Sequence, residues 1–335
     1  MSLDSKARVA SALNHNYLLE RSRIVYQSKD ERNYHIFYQL CRGGLSLTSD
    51  ERARLQVKSP EETRLLAMSG CTSIDGVDDE EDFATNLGAM AALGFDADEV
   101  AFCLDVVATV LHLGQVEFRP TRGSVAGSAG SAYAEGCAVV DWDPIFLAAE
   151  LLQVDSDELH KCMTCRQMKI AGAGASIEDI PLNKEKASAS RDALGKTLYA
   201  LLFDWLVARV NKALAGDVKP EDVGRSVCIL DIFGFEIFEH NSFEQLLINF
   251  ANESLQQHFN KHVFKMEEAL YEAEGIEYGS VGFIDNQPVL DLLQNRLGLF
   301  SILDEQVVIP AHPTATDPDP NHNPNPNPKP NPKQG

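Results

Sequence analysis

An acid, a glycine and a second acid stand close together in Asp231-Ile-Phe-Gly234-Phe-Glu236, at the end of the apolar run Val227 to Ile232. A carboxylate at the carboxyl end of a buried strand can hold Mg²⁺ directly or through its waters. A glycine lets its backbone N–H come close to a terminal phosphate. The second acid can orient a water or pair with an arginine. The same six residues also describe a strand end followed by a tight turn, and on chemistry alone both readings stand.

The other reactive patterns carry less. Cys162 and Cys165 form a CxxC, but a structural zinc takes four ligands and no second pair follows at a suitable spacing. A redox role would need a thioredoxin-like βαβ context, which the flanking sequence lacks. Gly195-Lys-Thr197 resembles the end of a phosphate loop, yet Ser190 occupies the position where that motif needs its first glycine. Gly172-Ala-Gly174 is read as a flexible loop, since no helix opens after it. His258 and His262 lie four apart, a metal-chelating spacing; without a third ligand in view they read as a solvated or packing pair.

These groups need elements to hold them. Val227 to Ile232 is continuous, apolar and rich in β-branched residues, which predicts a buried strand. Asn241 is placed to cap the next helix, with Glu244 as its capping-box partner. From there an apolar stripe with some drift runs through Phe243, Leu246, Phe250, Leu255, Phe259, Val263 and Leu270. About 30 helical residues at ~1.5 Å each span on the order of 45 Å, long enough for a strut or lever.

Upstream the chain reads as mostly helical. Helices are expected over Asn33–Cys41, Glu80–Ala92, Asp96–Leu113 (with Gly114 as the residue that ends it), Asp143–Val154 and Asp155–Cys162. Arg119–Gly136, rich in Gly, Ser and Ala, reads as a surface loop. Arg166–Leu182 reads as strand–loop–strand, because no helix interior would choose AGAGAS. Asn183–Leu214 reads as a long helix whose apolar positions include Leu194, Leu198, Leu201, Leu202 and Trp205. From Pro318 the text is an Asn-Pro repeat without an apolar residue, read as a disordered or polyproline-like tail.

Composition removes several classes. The 335 residues carry 29 Lys+Arg and 50 Asp+Glu, a formal net charge of −21. No basic surplus is available to neutralise nucleic-acid phosphates or to dock on an anionic membrane face. No apolar run reaches the roughly 20 residues needed to span a bilayer, and Met1 to Ala12 lacks the apolar core of a secretory signal. Seven scattered cysteines read as reduced intracellular thiols.

The text from Leu230 to Ile276, LDIFGFEIFEHNSFEQLLINFANESLQQHFNKHVFKMEEALYEAEGI, resembles the switch II segment and relay helix of the myosin motor domain. Other segments agree in the family's order. NYLLERSRIVYQ (from Asn16) and ERNYHIFYQLC (from Glu31) are similar to the region just after switch I. SGCTSIDGVDDEEDF (from Ser69) and VVATVLHLGQVEF (from Val106) resemble the upper 50-kDa subdomain, and RDALGKTLYALLFDWLVARVNKAL (from Arg191) resembles the long helix before switch II. GFIDNQPVLDLL and LGLFSILDEQVVIP, within Gly282 to Pro310, resemble the start of the lower 50-kDa subdomain.

The resemblance implies a mostly α fold with a few β-strands: a partial myosin motor, or P-loop-NTPase-like, head lacking the P-loop and converter. It divides the chain into an unassigned extension (1–12), an upper 50-kDa-like helical region (13–225), a buried strand with switch II (226–240), the relay helix (241–276), the start of the lower 50-kDa-like region (277–317) and the tail (318–335). Residue by residue, it implies that Asp231 sits near Mg²⁺-bound waters, that the Gly234 amide senses the γ-phosphate of ATP, and that Glu236 pairs with a switch I arginine and helps hold the lytic water. ATP and Mg²⁺ are the implied cofactors, with no direct metal ligand. Actin filaments are the implied partner, and no nucleic acid, membrane or light chain is expected to bind.

The 166–182 excursion resembles the actin-facing cardiomyopathy loop. Ser176, sixteen residues before Asp192, falls where the family expects Thr, Glu, Asp or Ser and is the candidate phosphosite. Gly298 to Val308 resembles the first helix of the actin-binding helix-loop-helix. The implied location is cytoplasmic and cytoskeleton-associated.

The implied activity is actin-activated ATP hydrolysis coupled to movement. The family's GESGAGKT loop and its arginine-bearing switch I are not among these 335 residues, so the chain by itself is expected not to hydrolyse ATP. The alternatives are a non-catalytic actin-binding module and a truncated gene model without independent function.

Overall fold

The computed structural model describes residues 1–335 except 5, 18, 45, 124–133, 171–175, 217–224, 239–240, 278, 280–284 and 309–335. The Asn-Pro tail, the Gly172-Ala-Gly174 loop and residues 282–284 of the implied lower 50-kDa segment therefore lie outside the described residues. The chain divides after Leu230 into two units, each treated separately below. Its content is mostly helix with a few short strands, as the sequence predicts, and no described helix is long and apolar enough to cross a membrane.

The first unit opens with strands β1 (Ser2–Leu3) and β2 (Val9–Ser11). Helices α1 (His35–Arg42), α2 (Ser49–Leu55), α3 (Arg64–Ala67), α4 (Asp79–Ala92) and α5 (Ala97–Gln115) follow. A hairpin of β3 (Phe118–Gly123) and β4 (Ala134–Val139) leads to α6 (Asp143–Leu152) and α7 (Ser156–Thr164). A second hairpin, β5 (Cys165–Ile170) with β6 (Ser176–Pro181), precedes α8 (Lys184–Leu214) and β7 (Arg225–Ser226). Both hairpins are antiparallel, in register from Phe118↔Val139 to Gly123↔Ala134 and from Cys165↔Pro181 to Ile170↔Ser176. The second is the strand–loop–strand that the glycine-rich text predicts. The first departs from expectation: both ends of the 119–136 stretch are strand, because the residues flanking its Gly/Ser centre find each other as ladder partners.

Helix α5 is the axis of this unit. Asp96 caps it, accepting from Glu99 N at 2.8 Å while its own N–H donates to the Glu99 carboxylate at 3.1 Å. Its apolar residues face every direction, with Leu104, Val107, Val110, Leu111 and Leu113 all buried, which marks a helix surrounded by protein. Gly114 does not end it. The helix runs on to Gln115, and a Cβ on Gly114 would lie 2.4 Å from Leu65 Cδ1. The glycine permits close approach of α3. Replacing it (Gly114→Ala) is expected to cost about 1–3 kcal/mol of unfolding free energy by overpacking, read by urea denaturation; an unchanged midpoint would show that Leu65 moves aside freely.

Helix α8 begins where predicted, with Asn183 Oδ1 accepting from Lys186 N at 3.0 Å. Its buried line is Ala187, Arg191, Gly195, Tyr199 and Leu202, while Leu201 is 62% exposed. The small residues Ala187 and Gly195 take the closest approach and push the predicted leucine stripe to the flanks: Leu194, Leu198 and Trp205 are half-buried against the two cores. Gly195-Lys-Thr197 is mid-helix, so no loop of free N–H groups exists there.

His112 on α5 is buried, with its Nε2 2.8 Å from the Leu55 carbonyl. Burial lowers its pKa, only partly opposed by that hydrogen bond. A depressed histidine pKa means the unfolded chain binds the proton first. The contribution is therefore complete above the unfolded value of about 6.5 and is lost as pH falls below it. His112→Gln is expected to flatten this limb of a stability-versus-pH profile while keeping the bond to Leu55; an unchanged limb would assign it to another group.

The polar anchor of the unit is Asp79, in the first turn of α4. One oxygen accepts from Arg32 Nη2 at 2.7 Å and the other from Arg42 Nη1 at 3.2 Å. The Asp79 and Arg32 side chains are 1% and 3% exposed, and the Arg32 guanidinium lies 3.8 Å above the Tyr38 ring centroid. All seven cysteines are free thiols.

The second unit holds α9 (Phe243–Phe259), a π-helical segment (Asn260–Lys265), α10 (Met266–Glu274), α11 (Gln287–Gln294) and α12 (Leu299–Val308). The predicted long helix exists, interrupted by the π segment. Its cap is displaced by one residue: Ser242, not Asn241, precedes the first turn, with Gln245 as capping-box partner. Asn241 instead closes a turn on Phe238, accepting from its N–H at 3.0 Å and donating to its C=O at 2.8 Å. Asn286 Nδ2 donates to the Glu253 carbonyl at 2.8 Å, and Phe250 meets Phe300 edge-on at 4.9 Å. Together these seat α11 and α12 on α9.

Candidate functional site

The expectation of a buried strand over Val227–Ile232 is corrected. The ladder ends early: Arg225 and Ser226 pair with β1, and Val227 exchanges backbone hydrogen bonds with Met1 at 2.9 Å. Beyond it no described residue continues the ladder, and Ile229 is 83% exposed. A strand becomes buried only when partners cover its edges and faces, and the described residues supply neither.

Asp231 and Gly234 are exposed, and Glu236 is half-buried. Gly234 has no positive φ, and a Cβ built on it would meet nothing within 4 Å. Neither backbone strain nor packing therefore calls for a glycine at this position.

Glu236 is the best-held of the three. Its backbone N–H donates to Asn249 Oδ1 at 2.8 Å, and its carbonyl accepts from Asn249 Nδ2 at 2.8 Å. The Asn249 side chain thus imitates a strand neighbour. Gln245 Nε2 donates more weakly to the Glu236 carboxylate at 3.4 Å. Asn249 and Gln245 lie four apart on the same face of α9, so one helix face grips the segment carrying Gly234 and Glu236. Among the described residues Glu236 has no cationic partner.

Sequence reading overlooked this clamp. Its signal was the pair of carboxamides at helical spacing just after the acidic motif, which an argument from apolar periodicity passes over. Replacing Asn249 (Asn249→Ala) removes both backbone bonds at about 0.5–1.5 kcal/mol each. Amide exchange at Glu236 is expected to accelerate roughly ten-fold or more; an unchanged rate would show that the segment is held elsewhere.

Among the described residues no three His, Cys, Asp or Glu side chains gather to hold a metal. Mg²⁺ keeps several waters and takes one or two carboxylates plus substrate phosphates. An exposed Asp231 fits the role of a water-mediated contact to such an ion and does not by itself make a binding site. His258 and His262 stack on each other, ring centroids 5.9 Å apart and planes 9° apart, in keeping with a packing pair. Cys162 ends up exposed on α7 while Cys165 opens β5. Ser176 is the first residue of β6, paired through the backbone with Ile170.

Comparison with known proteins adds a second line. The family described as "Myosin head (motor domain)" matches residues 1–319. The chain is 39% identical over 308 residues to Myosin-2 of Lachancea kluyveri, covering 92% of this chain and 19% of that protein. It is 39% identical over 311 residues to Myosin-52 of Schizosaccharomyces pombe, covering 92% and 20%. It is 40% identical over 319 residues to the Myosin-I heavy chain of Dictyostelium discoideum, covering 95% and 13%. The chain spans about a fifth or less of the length of these relatives.

Proposed function

The chain belongs to the myosin head (motor domain) family, and from that premise we infer that its second unit is the switch II and relay portion of an actin-activated, ATP-driven motor. The observation that carries this reading is Gly234: a glycine that neither strain nor packing requires, flanked by Asp231 and Glu236. A bare backbone at that point leaves an N–H open to an anion.

The roles follow from each residue's setting. Asp231, exposed, would hold a water of a Mg²⁺–nucleotide; the ion would neutralise charge on the phosphates when bound. The Gly234 N–H would donate to the terminal phosphate. Glu236, its backbone gripped by Asn249, would present its carboxylate to the attacking water. The same grip makes α9 follow any movement of Gly234 toward a phosphate, which is how a relay helix would receive the signal. The boundaries proposed for the parts are those given above: 13–225, 226–240, 241–276 and 277–317.

Phosphate release by a polypeptide that carries this chain within a complete motor domain, measured with and without actin filaments, tests the reading. Turnover that filaments stimulate supports it, and its absence in a folded polypeptide sinks it. The 335-residue chain by itself is expected to turn over no ATP.

A second reading, an actin-binding module without catalysis, is favoured by the β5–β6 hairpin, which holds Ser176 at the start of a strand. A phosphate there would add about −1.5 to −2 charge at pH 7. Co-sedimentation of the chain with actin filaments at low and moderate salt separates the readings. Because the chain is acidic, a purely electrostatic contact would vanish as salt rises.

A further inference from the structure

Helices α1, α4, α5 and α8 do not close completely on one another. They leave a cavity of about 530 Å³ in the first unit, within the roughly 300–1,000 Å³ typical of small-molecule sites. Its walls are largely apolar and reach into the core through Phe83, Leu104 and Leu202. Polar lining comes from Asn14, His15, Asn16 and Asn86. No Asp, Glu, Lys or Arg lines it, so nothing there would offset the desolvation of a charged ligand.

Two features point to what would fill it. Four aromatic side chains, Phe83, Phe95, Tyr199 and Phe203, share the lining, and rings pack best on rings in offset or edge-on geometry. Tyr199 is only 7% exposed, yet among the described residues its hydroxyl has no hydrogen-bond partner, although its ring stacks on Tyr34 at 4.9 Å. The hydroxyl oxygen is not sealed from solvent, so in the empty cavity water serves it, beside walls that are largely apolar. A ligand that brings one polar atom to Tyr199 and apolar surface to the walls replaces that water and covers the apolar lining.

We propose that this cavity is a binding site for a neutral, ring-bearing, largely apolar small molecule carrying one hydrogen-bonding group, anchored on the Tyr199 hydroxyl. The ligand stabilises the packing of α8 against α4 and α5, since it binds the folded unit and not the unfolded chain. The inference involves neither Asp231, Gly234 nor Glu236 and stands apart from the reading of that site.

The probe is N-phenyl-1-naphthylamine, which is neutral, carries a naphthyl and a phenyl group on one N–H and fluoresces when buried. Titrated into the 335-residue chain, it is expected to saturate at one molecule per chain and to raise the Tm. Ala89→Trp fills the lining from an exposed position and is expected to weaken binding at least ten-fold, with the helical circular dichroism unchanged. Val210→Trp is the second plug, for use if the first variant misfolds. Tyr199→Phe is expected to weaken binding about five-fold, the worth of one hydrogen bond. Absence of saturable binding, or binding that folded Trp variants leave unchanged, overturns the proposal. So does a chain found dimeric by sedimentation and made monomeric by Ala89→Trp, which would assign the cavity to a second copy.

Discussion

Glu236→Ala, made in a polypeptide that carries this chain within a complete motor domain, is expected to slow ATP hydrolysis about 10²–10³-fold, the usual loss when a group aimed at developing charge or at the attacking water is removed. The effect should fall on the chemical step. On the proposed reading, actin binding without nucleotide should persist, because the substitution touches neither the β5–β6 hairpin nor α12, the elements that resemble actin-facing parts of the family. The fold should persist as well: Asn249 holds Glu236 through its backbone N–H and C=O, which alanine keeps, and the bond lost, from Gln245 at 3.4 Å, is weak. Single-turnover measurement separates hydrolysis from product release. An unchanged hydrolysis rate would remove Glu236 from the mechanism, whereas a collapse of filament binding with it would mean the carboxylate holds the fold. Glu236→Gln sharpens the test, since it keeps the size and the contact to Gln245 while removing the charge.

Asp79→Ala is expected to have the largest effect on stability, about 3–5 kcal/mol, the cost of removing one partner from a buried ion pair. Both Asp79 oxygens are engaged, and Arg32 has nowhere else to place its charge: its Nε and Nη1 are buried without partners, and only the Tyr38 ring face offsets it. The chain should unfold at markedly lower urea, in a transition that follows the first unit. The double change Arg32→Met with Asp79→Leu should recover much of the loss, because apolar residues of similar volume often replace a buried pair at little cost. A single variant that loses less than about 1 kcal/mol would show that Arg32 reaches water when its partner leaves.

Helices were legible in the sequence where caps and apolar spacing agree. The expected starts at Asp96 and Asn183 fall within one residue of the observed ones, Ala97 and Lys184. Strength of pattern misled where packing overruled it. Gly114 looked like a stop and is a point of close approach; Leu201 looked like core and gives way to Gly195 and Tyr199. The 227–232 run looked like a buried strand because its composition is that of one, but burial is a property of neighbours, and composition cannot supply them. The chemistry of Asp231, Gly234 and Glu236 could be proposed from residue type and spacing. The Asn249 clamp could not, since a carboxamide mid-helix has many uses. Asp79 hid in an acidic run, DDEED, where nothing marks which carboxylate turns inward.

The π segment between α9 and α10 has a consequence for phase. An α-helix advances about 100° per residue, so each residue absorbed into a wider turn rotates everything after it by roughly that angle. The π segment Asn260–Lys265 thus turns α10 about the helix axis relative to α9. Deleting one residue there would restore α geometry and keep the order of the remaining side chains. It would nevertheless point Met266 and Leu270 in a new direction, much as slipping one tooth leaves a gear intact and mistimed.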